Sequence, residues 1–461
     1  MGDNGQRNLA LLVAGTFFME NLDGTILTTA APSIGRSLGV PSVAIGITIT
    51  AYLLTLAVLI PLSGWITRRI GSRRVFLAAI AIFTLASVLC AISTSLPELT
   101  LMRVLQGIGG AMMVPVGRLA VLRVTDRADL IRAIALLTWP ALVAPVLAPL
   151  VGGFITTYST WHWIFLINVP LGIAAFLAAL RLIPSEERET APVLDWVGLV
   201  LTCTGLGSLV YLGSLLAERH PGVLATIGLA VVGFGLVGLA IAHQLRTRHP
   251  LLDLKALRIE TFRLSHAGGS LFRLTVNAVP FLLPLLFQDV FGYTPLLSGA
   301  LVLFVFVGNL AIKPATTSLL RRFGFRAVIV AASAGAATSM ALMALLERTT
   351  PLWLVILLLS FSGVARSTGF TAYNTIAFAD IERVDMTDAN TLASTLQQLA
   401  AGFGVAIGAV ALRLGDSFAG GSGSFAFAFA FAVLAILTAV ATVEALALSR
   451  TAGENIRPSR V

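Results

Sequence analysis

The stretch FFMENLDGTILTTAAPSI, residues 17–34, decides the fold class because it combines a long apolar run with two acids. The run begins near Leu9 and is long enough to cross a bilayer as a helix. Glu20 and Asp23 lie in its middle, where a charged side chain costs about 2.5–3.5 kcal/mol on insertion scales. The pattern predicts a transmembrane helix whose carboxylates are kept for a function.

The composition of the whole chain is that of a polytopic membrane protein. Hydrophobic residues make up 57% of the 461 residues and charged residues 11%, against about 25% charged residues in soluble domains. Apolar runs long enough to span a bilayer recur fourteen times, at about 8–31, 43–63, 74–94, 98–118, 131–155, 163–181, 194–215, 222–243, 264–288, 296–319, 326–346, 351–373, 391–413 and 425–448. We therefore predict an all-α protein with 14 transmembrane helices.

The basic residues predict how these helices are oriented. The net charge is +9, but Arg and Lys lie between the apolar runs instead of clustering with aromatic residues, which argues against a nucleic-acid partner. With the N-terminus inside, most of the 31 basic residues fall in cytoplasmic segments, as the positive-inside rule requires. The polar N-terminus has no signal-peptide cleavage site. We expect a multi-pass protein of a bacterial inner membrane with both termini cytoplasmic.

An internal repeat predicts the domain organisation. The pattern R-R-x-G-x-R occurs at 68–73 and again at 321–326, each time after the second span of a predicted half. Such repeats are typical of secondary transporters. We predict a six-helix bundle over 1–188, two additional helices with a linker over 189–260, and a second six-helix bundle over 261–461.

Four motifs resemble those of a known family. GWITRRIGSRR (64–74) resembles the signature loop of the major facilitator superfamily, and LMRVLQGIGGA (101–111) resembles its fourth-helix motif R-x-x-Q-G-x-G. LDGTILTTAAPSI (22–34) and WHWIFLINVPLG (161–172) are similar to motifs of the fourteen-helix drug:proton antiporter branch. The resemblance covers nearly the whole chain and implies a major facilitator fold with two six-helix bundles and two extra central helices.

The resemblance also implies a set of residues that switch the conformation. Arg68 stands where the signature loop of the family has an aspartate, so we expect a weakened latch between the halves, in which Asp126 pairs with Arg73 or Arg74. On the fifth helix Ala148 replaces a glycine of the antiporter motif, while the proline and two glycines that bend the helix remain. The predicted switch residues are Gly64, Arg68, Gly71, Arg73, Asp126, Pro149, Gly152 and Gly153.

The acids of the first span predict a proton-coupling site. Glu20 and Asp23 are three residues apart and share a helix face. Asp23 and Arg103 lie at similar depth, about 22 Å along their helices, and could pair if those helices are adjacent, as the family fold implies. We predict that Asp23, Glu20 and Arg103 couple transport to protons. The alternative is a buried ion pair that only fixes helix packing.

Polar residues of both halves predict a substrate site. Arg273 and Asn277 are one turn apart on the ninth span, which is the repeat counterpart of the first. Arg273 is expected to face Glu20 across a central cavity and to favour a substrate with an anionic or zwitterionic part. The alternative is hydrogen bonding between helices. The predicted substrate-binding residues are Glu20, Asn21, Arg273, Asn277, Gln288 and Asn309.

Residues outside these motifs exclude several classes of function. A primary pump needs a phosphate-binding G-x-x-x-x-G-K-[ST] motif, which the sequence lacks, and its five histidines lie at span ends or in loops, which predicts no metal site. We expect no enzyme activity and no cofactor, but a proton-coupled antiporter, a monomer in the lipid bilayer, that exports amphipathic or hydrophobic small molecules such as drugs and confers antibiotic resistance. Export of a lipid, peptide or endogenous metabolite, a proton-coupled uptake symporter, and a receptor or scaffold remain alternatives.

Overall fold

A computed structural model describes residues 3–124, 130–183, 193–216, 223–247, 250–382, 385–419 and 423–449, and all regular structure within these ranges is helical. The chain forms two compact units. Unit 1 comprises Met1–Val210 with Ala230–Leu251, and unit 2 comprises Tyr211–Leu229 with Leu252–Val461. The all-α prediction is confirmed for the described part of the chain, whereas the three-part domain boundaries stay a prediction.

The first half of the chain supplies nine helices. In chain order they are α1 (Asp3–Leu38), α2 (Gly46–Ile70), α3 (Ser72–Ile92), α4 (Leu96–Val124), α5 (Leu130–Tyr158), the short α6 (Trp163–Leu166), α7 (Asn168–Leu182), α8 (Trp196–Leu216) and α9 (Val223–Arg246). A 3-10 turn at Ser42–Ile45 precedes α2. The boundary between the two units falls within α8 and again within α9.

Close packing in unit 1 depends on the glycines of the fourth-helix motif. Helix α4 packs against α3 and α2, and α1 packs against α5 and α7. A methyl group on Gly109 would lie 2.7 Å from the backbone nitrogen of Phe83, and one on Gly107 would lie 2.8 Å from the side chain of Thr55. A methyl group at either position would be too close to the neighbouring helix, so these two positions require glycine. Small residues of this kind let helix backbones come close together in a membrane.

The second half supplies six helices with the same packing order. They are α10 (Glu260–Leu285), α11 (Pro295–Phe323), α12 (Phe325–Met343), α13 (Leu352–Ala377), α14 (Met386–Ala419) and α15 (Gly423–Leu446), with a 3-10 turn at Leu254–Arg258 and a π-helical turn at Leu286–Val290. Here α13 packs against α12 and α11, while α10 packs against α14 and α15. The two halves therefore repeat one arrangement of six helices.

The two R-R-x-G-x-R loops have the same backbone geometry. Gly71 separates α2 from α3 with φ 89° and ψ 145°, and Gly324 separates α11 from α12 with φ 83° and ψ 163°. This region of backbone space is accessible essentially to glycine alone. The glycine of the repeated pattern therefore makes the sharp connection between consecutive helices in both halves.

The last arginine of each repeated pattern also makes an equivalent hydrogen bond. Arg73 donates to the carbonyl oxygen of Leu180 near the end of α7 at 2.6 Å. Arg326 donates to the carbonyl oxygen of Leu446 at the end of α15, also at 2.6 Å. Each bond satisfies a carbonyl that the helix end leaves without an intrahelical partner. The equivalence supports the internal repeat predicted from the sequence.

Twelve helical segments of the described residues are long and apolar enough to cross a membrane. They are α1 to α4, α6 together with α7, α9, and α10 to α15. The described apolar stretches of α5 and α8 are shorter, Val143–Tyr158 and Trp196–Leu209. The chain is a multi-pass helical membrane protein, and fourteen spans with two extra central helices stay a prediction.

An aspartate holds the start of α8 to the end of α9 in unit 1. The Asp195 carboxylate accepts hydrogen bonds from the backbone N–H of Gly198 at 2.8 Å and of Leu251 at 3.2 Å, and it lies 2.8 Å from Nε2 of His243. Burial by itself would raise the pKa of the Asp195 carboxyl, but these three partners together lower it below its usual value.

Candidate functional site

The Asp23 carboxylate on α1 is the centre of a buried polar network in unit 1. Its Oδ2 lies 2.5 Å from Nη1 of Arg103 on α4. Its Oδ1 accepts hydrogen bonds from Gln106 at 3.0 Å and from Asn168, the first residue of α7, at 2.7 Å. All four side chains are buried. Every one of these donors points at a carboxylate oxygen, so the arrangement matches the ionised form of Asp23.

A second layer of hydrogen bonds fixes the donors. Gln106 lies one turn after Arg103 on α4, accepts a hydrogen bond from Nη1 of Arg103 at 2.6 Å and donates to Ser87 of α3 at 2.8 Å. Asn168 also reaches Ser87, at 3.4 Å. The network therefore links four helices. Asp23 of α1 contacts α4 and α7 directly and reaches α3 through Gln106 and Asn168, so a change at Asp23 would alter the contacts among all four.

Arg103 is only partly satisfied in this network. Its guanidinium lies 4.1 Å from the centre of the Tyr52 ring and 5.9 Å from that of Phe165, contacts that stabilise a cation away from water. Its Nε and Nη2 are buried and find no hydrogen-bond partner in the described part of the chain, and the same holds for the Tyr52 hydroxyl. A buried polar atom without a partner is costly, so the network retains donors that another conformation or a bound molecule can use.

Glu20 has a different environment from Asp23. Its side chain is half-buried, and a methyl group on Gly110 would lie 3.8 Å from Glu20 Oε1 and 3.2 Å from the Tyr52 hydroxyl. Within the described ranges no hydrogen bond or ion pair engages the Glu20 carboxylate. Asp23 therefore accepts hydrogen bonds from three side chains, whereas Glu20 has no hydrogen-bond or ion-pair partner among the described residues.

The predicted pairing of Asp23 with Arg103 is confirmed, and three further members of the network were missed. Gln106 and Asn168 belong to the quoted stretches LMRVLQGIGGA and WHWIFLINVPLG, so the motifs already contained the signal. Ser87 is an isolated polar residue outside the quoted motifs and offers no signal in one sequence. Asn21, predicted to bind substrate, donates to the Phe17 carbonyl of its own helix at 2.8 Å.

The predicted switch residues occupy separate places in unit 1. Gly64 and Arg68 are exposed near the end of α2, and nothing lies within 4 Å of a methyl group built on Gly64. Gly152 on α5 contacts α1, because its added methyl would lie 3.0 Å from the Ile26 carbonyl. Pro149 and Gly153 lie on the same helix, and Asp126 lies outside the described residues.

The predicted residues of unit 2 are brought together only in part. Asn277 donates to the Arg273 carbonyl on α10 and accepts a hydrogen bond from Nη2 of Arg366 on α13 at 2.9 Å. Asn309 lies on α11, where its backbone nitrogen is close to Gly363 of α13. Gln288 lies in the π-helical turn that follows α10 and donates to Ser298 at 3.4 Å. It is therefore about four turns along the chain from Arg273 and about three from Asn277, and lies apart from them.

Two similarly packed sets of six helical segments, one of which contains a buried ion pair, have the architecture of a secondary transporter. The sequence pattern of the Major Facilitator Superfamily matches residues 13–405. The chain belongs to this family. Membership of a transporter family confirms the prediction that the chain is a transporter and not an enzyme.

Relatives and solved structures agree with this assignment. The chain is 37% identical over 409 residues to "Putative multidrug resistance protein MdtD" from Escherichia fergusonii. The match covers 87% of this chain and 85% of that protein. The Shigella flexneri protein of the same name gives the same values. Its fold is similar to that of a POT family transporter in complex with 5-aminolevulinic acid (TM-score 0.70, 14% identity, 98% of this chain and 97% of that one). A D-xylose-proton symporter is similar too (TM-score 0.69, 14% identity, 97% and 98%).

Proposed function

We propose that the chain is a proton-coupled antiporter that exports amphipathic or hydrophobic small molecules, such as drugs, by alternating access. The observation that carries the proposal is the fully bonded Asp23 carboxylate in the middle of a membrane-spanning helix. Intramembrane acids are costly and typically mark proton relays. Relatives that carry the name "Putative multidrug resistance protein MdtD" support drugs as the exported class.

The coupling step follows from the hydrogen-bond inventory at Asp23. A proton on Oδ2 removes the negative charge of Asp23 and turns the acceptor that Arg103 uses into a donor, so the ion pair with Arg103 cannot persist, whereas Oδ1 can still accept from Gln106 and Asn168. Protonation therefore removes the ion pair that links α1 to α4. In the proposed cycle the outward-open protein takes up a proton at Asp23, turns inward, and exchanges that proton for substrate.

Substrate binding is assigned to side chains of both units. In unit 1, Glu20 has no hydrogen-bond or ion-pair partner among the described residues and is available to a cationic group of the substrate or to a second proton. Asn21 lies beside it in the sequence. In unit 2 the assigned residues are Arg273, Asn277, Gln288 and Asn309.

The conformational switch is assigned to the α2–α3 loop and to α5. The resemblance implies an acid where Arg68 stands, and Arg68 makes no hydrogen bond or ion pair within the described ranges. We therefore assign this chain a weaker latch than its family pattern implies. On α5, Gly152 lets the helix approach α1, and Pro149 and Gly153 loosen the same stretch, so α5 can bend beside Asp23.

The proposed topology has fourteen spans, including α8 and α9 as two extra central helices, in a bacterial inner membrane with both termini cytoplasmic. Cysteines at Glu347 and Asp385 test it, because Glu347 is placed outside and Asp385 inside. An impermeant thiol reagent should label Glu347→Cys in intact cells and Asp385→Cys only after permeabilisation. Labelling of Asp385→Cys in intact cells would refute the orientation.

The function is tested with the purified chain in liposomes that contain a pH-sensitive dye. An imposed proton gradient should drive accumulation of a hydrophobic cationic dye such as ethidium, and adding the dye should release protons from the protein. A matched preparation of Asp23→Asn serves as the control for leakage. Ethidium movement that follows the ethidium concentration gradient alone, and does not change with the proton gradient, would exclude antiport.

A further inference from the structure

Three basic side chains lie near the middle of membrane-spanning helices of unit 2 and form no ion pair with the described residues. Arg273 lies on α10, Lys313 on α11 and Arg366 on α13. No carboxylate of the described residues is within ion-pairing distance of any of the three. This differs from unit 1, where Asp23 neutralises Arg103. A buried charge without a counter-charge is unfavourable and in membrane helices usually marks a functional site.

Arg273 and Arg366 are held in place by neutral groups. Arg273 is 1% exposed and donates to the Ser265 carbonyl at 3.0 Å and to Asn374 at 2.7 Å. Arg366 donates to the Val276 carbonyl at 3.2 Å in addition to Asn277. Hydrogen bonds of this kind fix the position of a guanidinium without removing its charge. The Nε of each arginine is buried, and none of the described residues accepts a hydrogen bond from it.

Aromatic rings flank Arg366. Its guanidinium carbon lies 5.6 Å from the centre of the Phe306 ring on α11 and 5.4 Å from that of Phe370 on α13. Lys313 lies two turns after Phe306 on the same face of α11 and donates to Thr371 of α13 at 3.2 Å. Two of the ammonium's three donors are then left for another acceptor.

One side of this cluster is accessible. Asn277, Lys313, Arg366 and Asn374 are each half-buried, whereas Arg273 behind them is fully buried. Partly exposed cations and amides in the middle of membrane-spanning helices are expected to face a water-filled cavity, because facing lipid would be far more costly. The cluster is therefore a positively charged surface that a molecule in such a cavity can reach.

We propose that Lys313 and Arg366 form a subsite that binds an anionic group, such as a carboxylate, of an amphipathic substrate, and that the buried Arg273 adds positive charge without direct contact. The proposal rests on the proposed transport function and names the substrate class for unit 2. Guanidinium and ammonium donors supply the charge-assisted hydrogen bonds that a carboxylate accepts, and Phe306 and Phe370 provide the apolar wall for the attached aromatic or aliphatic body.

Binding is measured by titration calorimetry on the full chain in lipid nanodiscs, with empty nanodiscs as the blank. The probes are naphthaleneacetate, its neutral amide and the corresponding naphthylethylamine. We expect the acid to bind at least tenfold more tightly than the amide. Arg366→Gln and Lys313→Gln should each weaken binding of the acid at least tenfold and change binding of the amide less than twofold, which also shows that the variants are folded.

Two control variants sharpen the test. Arg366→Lys keeps the charge and should recover part of the preference for the acid. Arg348→Gln makes the same chemical change at an exposed loop position and should leave all three affinities unchanged. Equal binding of acid and amide, undetectable binding of the acid, or an acid affinity that ignores both Gln substitutions would overturn the subsite.

The transport assay separates this subsite from the transport function itself. Acid-selective binding without any proton-driven flux would refute antiport and leave the subsite standing. Proton-driven flux of the amide and the amine, with no preference for the acid in binding, would refute the subsite and leave antiport standing.

Discussion

Asp23 and Arg103 are 80 residues apart in the chain, and their side chains lie 2.5 Å apart with neither exposed. The pair joins the first and fourth helices, and Gln106 and Asn168 complete the coordination of the carboxylate. Three motifs that look independent in the sequence therefore form one structure. A single proton on Asp23 would break its ion pair with α4, in a network that also contains α7 directly and α3 through Ser87, and the proposed coupling role requires such sensitivity to one proton.

Asp23→Asn is expected to reduce proton-driven efflux to the background of protein-free liposomes while substrate binding remains measurable. The amide keeps the size of the side chain but cannot exchange a proton. It also leaves Arg103 buried without a counter-charge, which costs about 3–5 kcal/mol for a broken buried pair, so we expect a lower melting temperature as well.

The matched control for this change is Asp388→Asn, since Asp388 is exposed in the first turn of α14. Its efflux should equal that of the native chain. Native rates of proton-driven efflux in Asp23→Asn would leave the Asp23–Arg103 pair with a packing role alone.

Glu20→Gln is expected to act according to the charge of the substrate. Cationic compounds should bind at least about tenfold more weakly, which corresponds to about 1.4 kcal/mol, and neutral compounds should bind nearly as before. The reason is that Glu20 has no ion-pair or hydrogen-bond partner among the described residues and is available to the substrate. Glu260→Gln, an exposed position at the start of α10, is the control, and an equal loss for neutral and cationic compounds would rule out a charge contact.

Arg68→Asp is expected to shift the resting population toward the outward-open state. The new acid would restore the residue type of the family loop and can pair with neighbouring cations such as Arg69 or Arg74. Spin labels on the α2–α3 loop and on the α11–α12 loop report the change as a shorter distance between the loops. An unchanged distance distribution would mean that the loop of this chain has been rewired and holds no such latch.

Gly71→Ala and Gly324→Ala are expected to destabilise the protein by about 1–3 kcal/mol each, because an alanine at these φ and ψ values is strained. Gly64→Ala is the matched control. It lies within α2 with nothing near its added methyl, so the same substitution should stabilise the helix by roughly 0.5–1 kcal/mol. Thermal unfolding in detergent measures all three, and a loss of stability in all of them would contradict the backbone argument.

The contacts of Asp195 with Gly198, His243 and Leu251, which we call the Asp195 clip, hold the start of α8 to the end of α9. The stability of this clip is expected to depend on pH. The pKa of Asp195 is lower in the folded protein than the value of about 3.9 for a free side chain, so the carboxylate stabilises the clip above pH 4. That contribution is lost as the pH falls through the lower, folded-state pKa. Hydrogen exchange of the α8–α9 segment should be faster in Asp195→Asn than in the native chain from pH 5 to 8, and the difference should shrink below pH 4. A constant difference down to the lowest pH would show that Asp195 does not titrate with the clip.

Much of the fold was readable from the chain because membrane insertion leaves few solutions. Lipid offers no hydrogen bonds, so an apolar run of about 20 residues has to be a helix. Even FAFAFAFA at 425–432, which alternates like a strand, is helical in α15. The repeated R-R-x-G-x-R loops predicted two equivalent halves, since the glycine and the last arginine of each have local backbone roles that a motif records.

The partners of each polar side chain were decided by tertiary packing. Depth along a helix suggested that Asp23 could meet Arg103, but helix rotation decided that Gln106, Asn168 and Ser87 share the same carboxylate. Rotation likewise left Glu20, three residues away, without a hydrogen bond among the described residues. No local pattern in the sequence marks Arg366, because its partner Asn277 and the Phe306 ring lie on other helices. The sequence by itself determined the helices and their likeness in the two halves, and the packing of those helices decided which charges are neutralised.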